Sequence, residues 1–373
     1  MLNFSQFDPA FSHVAEVFEE YVASDRERGA LSLRMNGSTV LDLCAGQARP
    51  EVQMPWARNT LACCFSVTKG VLAFLAHLFI DRNFLDLDAK VCSLWPEFAS
   101  SGKKNINVRD ILTHRSGLPA VDEHVKLGLI YDLGGMERAL SKSSAVVPIG
   151  AAPVYHNMTC GYLLGGILER AGGATLPSLI TRHLTGPLKV DFCIGLKQRH
   201  IVRTATLSQD DPSALFSSLK DDSYSLFARS MAFFEGNEDF YSYKWRKSVI
   251  GSGNGHATEN AIARLYEHFI LSDGILSTSR RDALQQHLYS SDGNDPILGM
   301  KIRYGEGVEL SAPPSLDFGP NPSSIGYWGA GGAQGFADPD SGLALGYVTG
   351  KMDPTLGTSA QEAEYVSACY ERL

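Results

Sequence analysis

The sequence predicts an α+β protein in which an antiparallel sheet flanked by helices is built from both ends of the chain, with a mostly helical domain inserted between them. Three observations predict it. Short apolar runs bracket a turn signal early in the chain, and helical spacings with Pro/Gly-rich loops fill the middle. Short apolar runs broken by Gly, Pro and Asp then return before a last helical stretch. The expected division is residues 1–85 and 246–373 in a discontinuous sheet domain and 86–245 in the inserted helical one. At 373 residues, 44% of them hydrophobic, the chain can bury a sizeable core, as one large domain or as two sharing an interface.

Each element has its own reason. In residues 9–24, Phe11, Val14, Val17, Phe18 and Val22 recur at helical spacing. Residues 29–35 and 39–43 flank Asn36-Gly37 and predict a hairpin. Residues 66–81 read as a buried helix, because an apolar stretch from Gly70 to Ile80 is interrupted only by His77 and ends at Asp81-Arg82. That stretch is too short to span a bilayer. In the middle, residues 108–112 predict a helix that stops in Thr113-His114-Arg115-Ser116-Gly117-Leu118-Pro119. Residues 157–171 predict another, packed through Leu163, Leu164, Ile167 and Leu168. Gly251-Ser252-Gly253-Asn254-Gly255 is a loop, after which Thr258 caps a helix to about residue 271. Strands are expected at 301–310, 334–337 and 343–348, and a helix over 359–373.

Composition narrows the function. The charge of −8 comes with no basic run that could track phosphates, so nucleic acid is not an expected partner. The start, Met-Leu-Asn-Phe-Ser-Gln-Phe-Asp, lacks the basic-then-apolar pattern of a secretory signal. The seven cysteines include no Cys-x-x-Cys and the ten histidines no His-Glu-x-x-His, which predicts neither a disulfide framework nor a metal site. The expectation is a cytoplasmic protein with no cofactor and no membrane span; the oligomeric state is left open.

Three stretches carry candidate chemistry. The first is Ser66-Val67-Thr68-Lys69. At the start of a helix, positions i and i+3 share a face, so the amine reaches the hydroxyl. The helix N-terminus adds free N–H groups and a positive dipole end for a developing oxyanion. Burial of Lys69 would make its neutral amine available near neutral pH to accept the serine proton. The tetrapeptide alone is weak, since it recurs at Ser100–Lys103, Ser101–Lys104 and Ser217–Lys220 in polar surroundings that read as solvated. Only the Ser66 copy joins an apolar stretch, Leu61 to Phe65, to a buried helix.

The second stretch is Tyr155-His156-Asn157, which follows a Gly/Pro-rich loop. Beside a lysine ammonium the Tyr155 pKa would fall, making it a base and then an acid for the leaving group. Asn157 could donate its amide to a substrate carbonyl, or merely cap a helix. His156 is not favoured as a base, because no Gly-x-Ser-x-Gly elbow and no orienting acid accompany it. The third stretch runs from Gly326-Tyr327-Trp328-Gly329 through Ala330 to Phe336, a glycine-rich strand edge that a substrate can approach closely.

Taken in order with residues 111–118 and 254–258, these motifs resemble the serine β-lactamase and penicillin-binding superfamily, most of all class C β-lactamases and family VIII carboxylesterases. The resemblance implies an active site in the cleft between the sheet domain and the helical domain. It makes Ser66 the nucleophile, Lys69 its paired amine and Tyr155 the second proton carrier. It puts Asn157 at the substrate-binding asparagine and the N–H groups of Ser66 and Ala330 in the oxyanion hole. Tyr327-Trp328-Gly329 stands where β-lactamases have Lys-Thr-Gly, whose lysine helps to hold the lactam carboxylate. A tyrosine offers no full positive charge, so the expected activity is a carboxylesterase for small or medium acyl esters, with an acyl-Ser66 intermediate. A β-lactamase, a D-amino-acid peptidase or amidase, and an acyltransferase share the mechanism. A non-catalytic ligand-binding or self-assembling member is the alternative of another class.

Overall fold

A computed structural model describes residues 2–121, 126–208, 225–234, 240–371 and 373. Among these, nine strands form one sheet. They are β1 (Leu2–Phe7), β2 (Gly29–Met35), β3 (Ser38–Ala45), β4 (Tyr289–Ser290), β5 (Arg303–Tyr304), β6 (Glu309–Leu310), β7 (Ile325–Gly329), β8 (Ala333–Asp338) and β9 (Leu343–Thr349). Their order is β1-β3-β2-β9-β8-β7-β6-β5-β4, antiparallel throughout. The predicted hairpin is β2–β3. Strand β2 then pairs with β9 from the far end of the chain, Gly29 with Thr349 and Met35 with Leu343. The two ends thus build one sheet, as their patterning predicts.

Among the described helices are α1 (Ser12–Ala23), α2 (Val67–Asp81), α3 (Thr159–Gly172), α4 (Glu259–Glu267) and α5 (Ala360–Tyr370). α1 and α5 pack together through aromatic rings. Tyr365 lies 5.9 Å from Phe18, 5.7 Å from Tyr21 and 5.3 Å from Tyr347 of β9. α4 lies against β9 so closely that a Cβ on Gly346 would stand 2.1 Å from the Glu259 carbonyl oxygen. α2 is buried from Val67 to Phe79, which explains why its sequence is apolar on every face. Thr258 caps α4 as expected, its Oγ1 accepting from the Ala261 N–H at 3.2 Å.

The differences from expectation have local causes. Strand β1 is an edge strand whose only partly buried side chains are Leu2 and Phe4, too short a pattern to stand out. The run 301–310 is broken by a turn at Gly305–Gly307 into β5 and β6, with Gly307 at φ 90°. The helix expected to reach about residue 271 ends at Glu267. A helix over Thr278–Gln285 buries only Arg281 and Leu284, so its apolar face is nearly invisible in the sequence. No described helix is long and apolar enough to cross a membrane.

Candidate active site

Ser66 heads α2, and the chain reaches it under constraint. Phe65 sits at φ 40°, in the left-handed region, a conformation costing a non-glycine residue on the order of 1–3 kcal/mol. Its ring is held between Phe240 at 5.3 Å and Trp245 at 6.3 Å, so packing fixes the turn that presents the serine. Upstream, Ala62–Cys63 pairs with His256–Ala257, which also pairs with Phe192–Cys193. This small sheet ties the serine's approach to the loop before α4.

Around the serine, the spacing argument holds. Lys69 Nζ donates to Ser66 Oγ at 2.8 Å and to the Ser252 carbonyl at 2.9 Å. Tyr155 Oη donates to the same Ser66 Oγ at 3.0 Å. The lysine is 2% exposed, and burial lowers its pKa to about 8, opposed by the nearby Cys160 and Glu309. The expectation for Tyr155 is corrected. Its pKa is held well above the usual tyrosine range, by burial first and then by the charge of Glu309. Desolvation outweighs the neighbouring ammonium, so Tyr155 holds its proton while Lys69 can lose its own at about 8.

Several supports went unseen in the sequence. The Asp295 carboxylate accepts from the Tyr155 N–H at 2.7 Å and from the N–H groups of Ile297 and Leu298 at 2.8 and 3.1 Å. The His114 ring lies 5.1 Å from the Tyr155 ring, and its Nδ1 accepts from the His156 N–H at 3.0 Å. Ser252 Oγ accepts from the Gly161 N–H at 2.8 Å and donates to the Met158 carbonyl, which fixes the carbonyl that receives Lys69. The density of glycine in residues 251–255 was the one available signal of a functional loop; nothing in the sequence pointed to Asp295.

His156 is occupied elsewhere. Its Nε2 receives the Leu118 N–H at 3.2 Å and lies 2.7 Å from Ser116 Oγ, while Nδ1 lies 2.6 Å from the Val154 carbonyl. An accepting Nε2 puts the proton on Nδ1, and burial holds the ring neutral with a pKa of about 4. This histidine is structural. Of the other Ser-x-x-Lys copies, Ser100–Lys103 is not solvated as expected, because Lys103 is buried with its ammonium on the carbonyls of Ser100, Ser141 and Ser143. Ser217–Lys220 lies outside the described residues.

Ser66 opens on an apolar pocket. Asn157, Trp328 and Ala330 line it together with Phe65, Phe240 and Trp245. No Lys, Arg, His, Asp or Glu lines it among the described residues. Phe227 and Phe234 belong to the lining too. Asn157 Nδ2 rests 3.1 Å from Met231 Sδ; it is not the helix cap, which is Met158. Tyr327 and Gly329 do not line the pocket. Tyr327 is 1% exposed, and a Cβ on Gly329 would lie 2.5 Å from the Cys64 carbonyl oxygen, so that glycine lets β7 abut the loop that leads into Ser66.

Comparison with known proteins adds three findings. A family model described as beta-lactamase matches residues 14–366. An esterase/beta-lactamase, LipL of Mycobacterium tuberculosis, is 26% identical over 381 positions, covering 94% of this chain and 83% of that protein. Among solved structures, a penicillin-binding protein homolog from Caulobacter crescentus superimposes with a TM-score of 0.87 at 28% identity over the whole of both chains. A family VIII carboxylesterase does so with 0.89 at 26% identity, covering 99% of this chain and 100% of the other.

Proposed function

The chain belongs to the beta-lactamase family and is a serine hydrolase acting on esters, and from that premise we propose that Ser66, Lys69 and Tyr155 carry the reaction. The observation that supports this most is the position of Ser66 Oγ, 2.8 Å from Lys69 Nζ and 3.0 Å from Tyr155 Oη. In acylation the neutral Lys69 amine takes the serine proton as Oγ bonds to the acyl carbon. The oxygen that gains charge is received by the N–H groups of Ser66 and Ala330. Collapse expels the alkoxide, which takes a proton from Tyr155 while Tyr155 recovers one from the Lys69 ammonium, so no phenolate accumulates. Water then enters by the reverse route and releases the acid and Ser66.

The substrate we propose is an uncharged ester with a small or medium apolar acyl group. Support comes from the pocket, whose described lining is aromatic and aliphatic with no cation to hold a carboxylate. Asn157, Trp328 and Ala330, which line that pocket, are the residues we assign to contact it. The seven cysteines are free thiols, which fits a reducing cytoplasmic setting. Mass spectrometry after a fluorophosphonate probe tests the assignment: the adduct belongs on Ser66, and Ser66→Ala should lose turnover of a chromogenic ester. An adduct on another serine, with activity surviving in Ser66→Ala, sinks the mechanism.

A further inference from the structure

Away from the Ser66 pocket, and sharing no lining residue with it, another cleft of about 510 Å³ opens among residues 175–200. Small-molecule sites are of that size, roughly 300–1,000 Å³. One wall is the helix Leu176–Ile180 with the turn that follows it. The other is Phe192–Cys193 with the loop that leads to the helix Gln198–Ile201. The two walls meet where a Cβ on Gly195 would lie 3.8 Å from Pro177 Cγ. Thr181–Thr185 form a π-helical turn, in which the Gly186 N–H reaches back to the Thr181 carbonyl. Such turns are rare and recur at functional sites.

The charge of this cleft is opposite to that of the chain. Arg182 lines the first wall and Lys197 and Arg199 the second, while no Asp or Glu lines it among the described residues. The chain has 41 acids against 33 lysines and arginines, yet none of these three cations has an ion-pair partner among the described residues. Asp191, the one acid within residues 182–203, is taken by Arg203, which donates to it at 2.5 and 2.7 Å. Like charges gathered on one concave face repel each other, and a bound anion would relieve that repulsion. Thr175 Oγ1 and Ser178 Oγ, also in the lining, stand 2.9 Å apart. One hydroxyl hydrogen serves that bond and the other is free to donate. Ile180, Phe192 and Ile194, all buried, make the apolar part of the lining.

We propose that this cleft binds the phosphoryl group of a phosphate monoester, with Arg182, Lys197 and Arg199 as its charged contacts and the apolar lining against the organic part. A phosphate monoester carries about −1.5 to −2 charge at pH 7 on three strong acceptor oxygens. It therefore answers several cations at once, where a single carboxylate would leave most of them unpaired. The two guanidinium groups present planar forks that match phosphate oxygens in pairs. The cations lie scattered along residues 182–203 and are brought to one face only by the fold, so the sequence shows no basic run. His200 completes the second wall. Its Nδ1 receives the Lys197 N–H at 3.3 Å, and its Nε2 lies 3.1 Å from Arg199 Nε. Burial first, then the charges of Arg199, Arg203 and Lys197, hold it below the usual histidine range, with Asp191 opposing them. A dianion among these cations would raise it, which makes the ring a reporter of occupancy.

The test uses the full chain with phenyl phosphate, and with phosphatidylcholine vesicles made with or without phosphatidic acid. Calorimetry should show saturable binding of phenyl phosphate, weakened about tenfold in Arg182→Gln and in Arg199→Gln, the size of one hydrogen bond between charged groups. Lys142→Gln, which removes an exposed lysine outside the cleft, should bind as wild type does. Ester turnover equal to wild type shows that each variant is folded. In a nuclear magnetic resonance titration, phenyl phosphate should raise the His200 pKa, and sodium chloride at the same ionic strength should not. Binding only to vesicles that contain phosphatidic acid, and lost in Arg182→Gln and Arg199→Gln, also supports the site and makes a lipid headgroup the source of the phosphoryl group. Absence of saturable binding to both probes overturns the inference. So does binding that survives unchanged in both arginine variants, or that Lys142→Gln weakens equally. Should an arginine variant fail to fold, Lys197→Gln takes its place with the same expected loss.

Discussion

A lysine whose proton is released at about 8 is mostly ammonium at neutral pH, and the ammonium cannot accept the Ser66 proton. Activity should therefore rise nearly tenfold per pH unit below about 8 and level off above it, since burial lowers this group and the active form is the deprotonated one. The raised Tyr155 keeps its proton throughout that range and adds no falling limb. Lys69→Ala and Tyr155→Phe should each cost on the order of a hundredfold or more in kcat; a limb governed near pH 6 and removed by His156→Ala contradicts this. Tyr327 is a second residue whose burial decides an outcome. Because it does not line the pocket, Tyr327→Lys should leave the ratio of ester to cephalosporin turnover unchanged, and an increase in cephalosporin turnover would show that its side chain does reach the substrate. Ser66, Lys69 and Tyr155 were legible because each sits at a recognisable junction of loop and helix. Asp295 was not, because a lone acid in a loop acquires meaning only from what the fold sets beside it.

At the level of elements, Lys69 is held by the meeting of α3 with the loop before α4. A Cβ on Gly161 would stand 2.0 Å from the Ser252 nitrogen and 2.3 Å from the Gly251 carbonyl carbon. Backbone cannot yield as a side-chain tip can, so Gly161→Ala must push α3 away from the loop and carry the Ser252 carbonyl off Lys69. The expected result is a loss of about 1–3 kcal/mol in stability, the usual range for overpacking, together with a fall in kcat that exceeds the fall in Ser252→Ala. Equal activity in Gly161→Ala and wild type would mean that the loop does not position the lysine. The helices and the β2–β3 hairpin could be read from periodicity because they are long enough to show a face. The two-residue strand β4 could not, since a pattern of two residues has no period; β5 and β6 were legible only as the single run 301–310, because pieces so short do not show the turn between them, and all three are held by the ladder that continues from β7.

For the whole molecule, we propose the division into 1–85 with 246–373 around an inserted 86–245. It is supported by a sheet drawn entirely from the two ends of the chain and by the helical character of the described residues between them. The same arrangement has a consequence in time. Ser66 and Ala330 lie more than half the chain apart, and they are brought together only when β9 zips onto β2 and carries β7 to the head of α2. Local helices and the β2–β3 hairpin need no such event, whereas closing a loop of that length is among the slowest steps open to a chain. On dilution from denaturant, far-ultraviolet ellipticity should recover first and ester turnover last, with a measurable lag between them. Capacity to react with the fluorophosphonate would mark the arrival of the last strand, so that catalysis reports the order in which this molecule assembles. Simultaneous recovery of both signals would mean that the ends of the chain find each other at the outset.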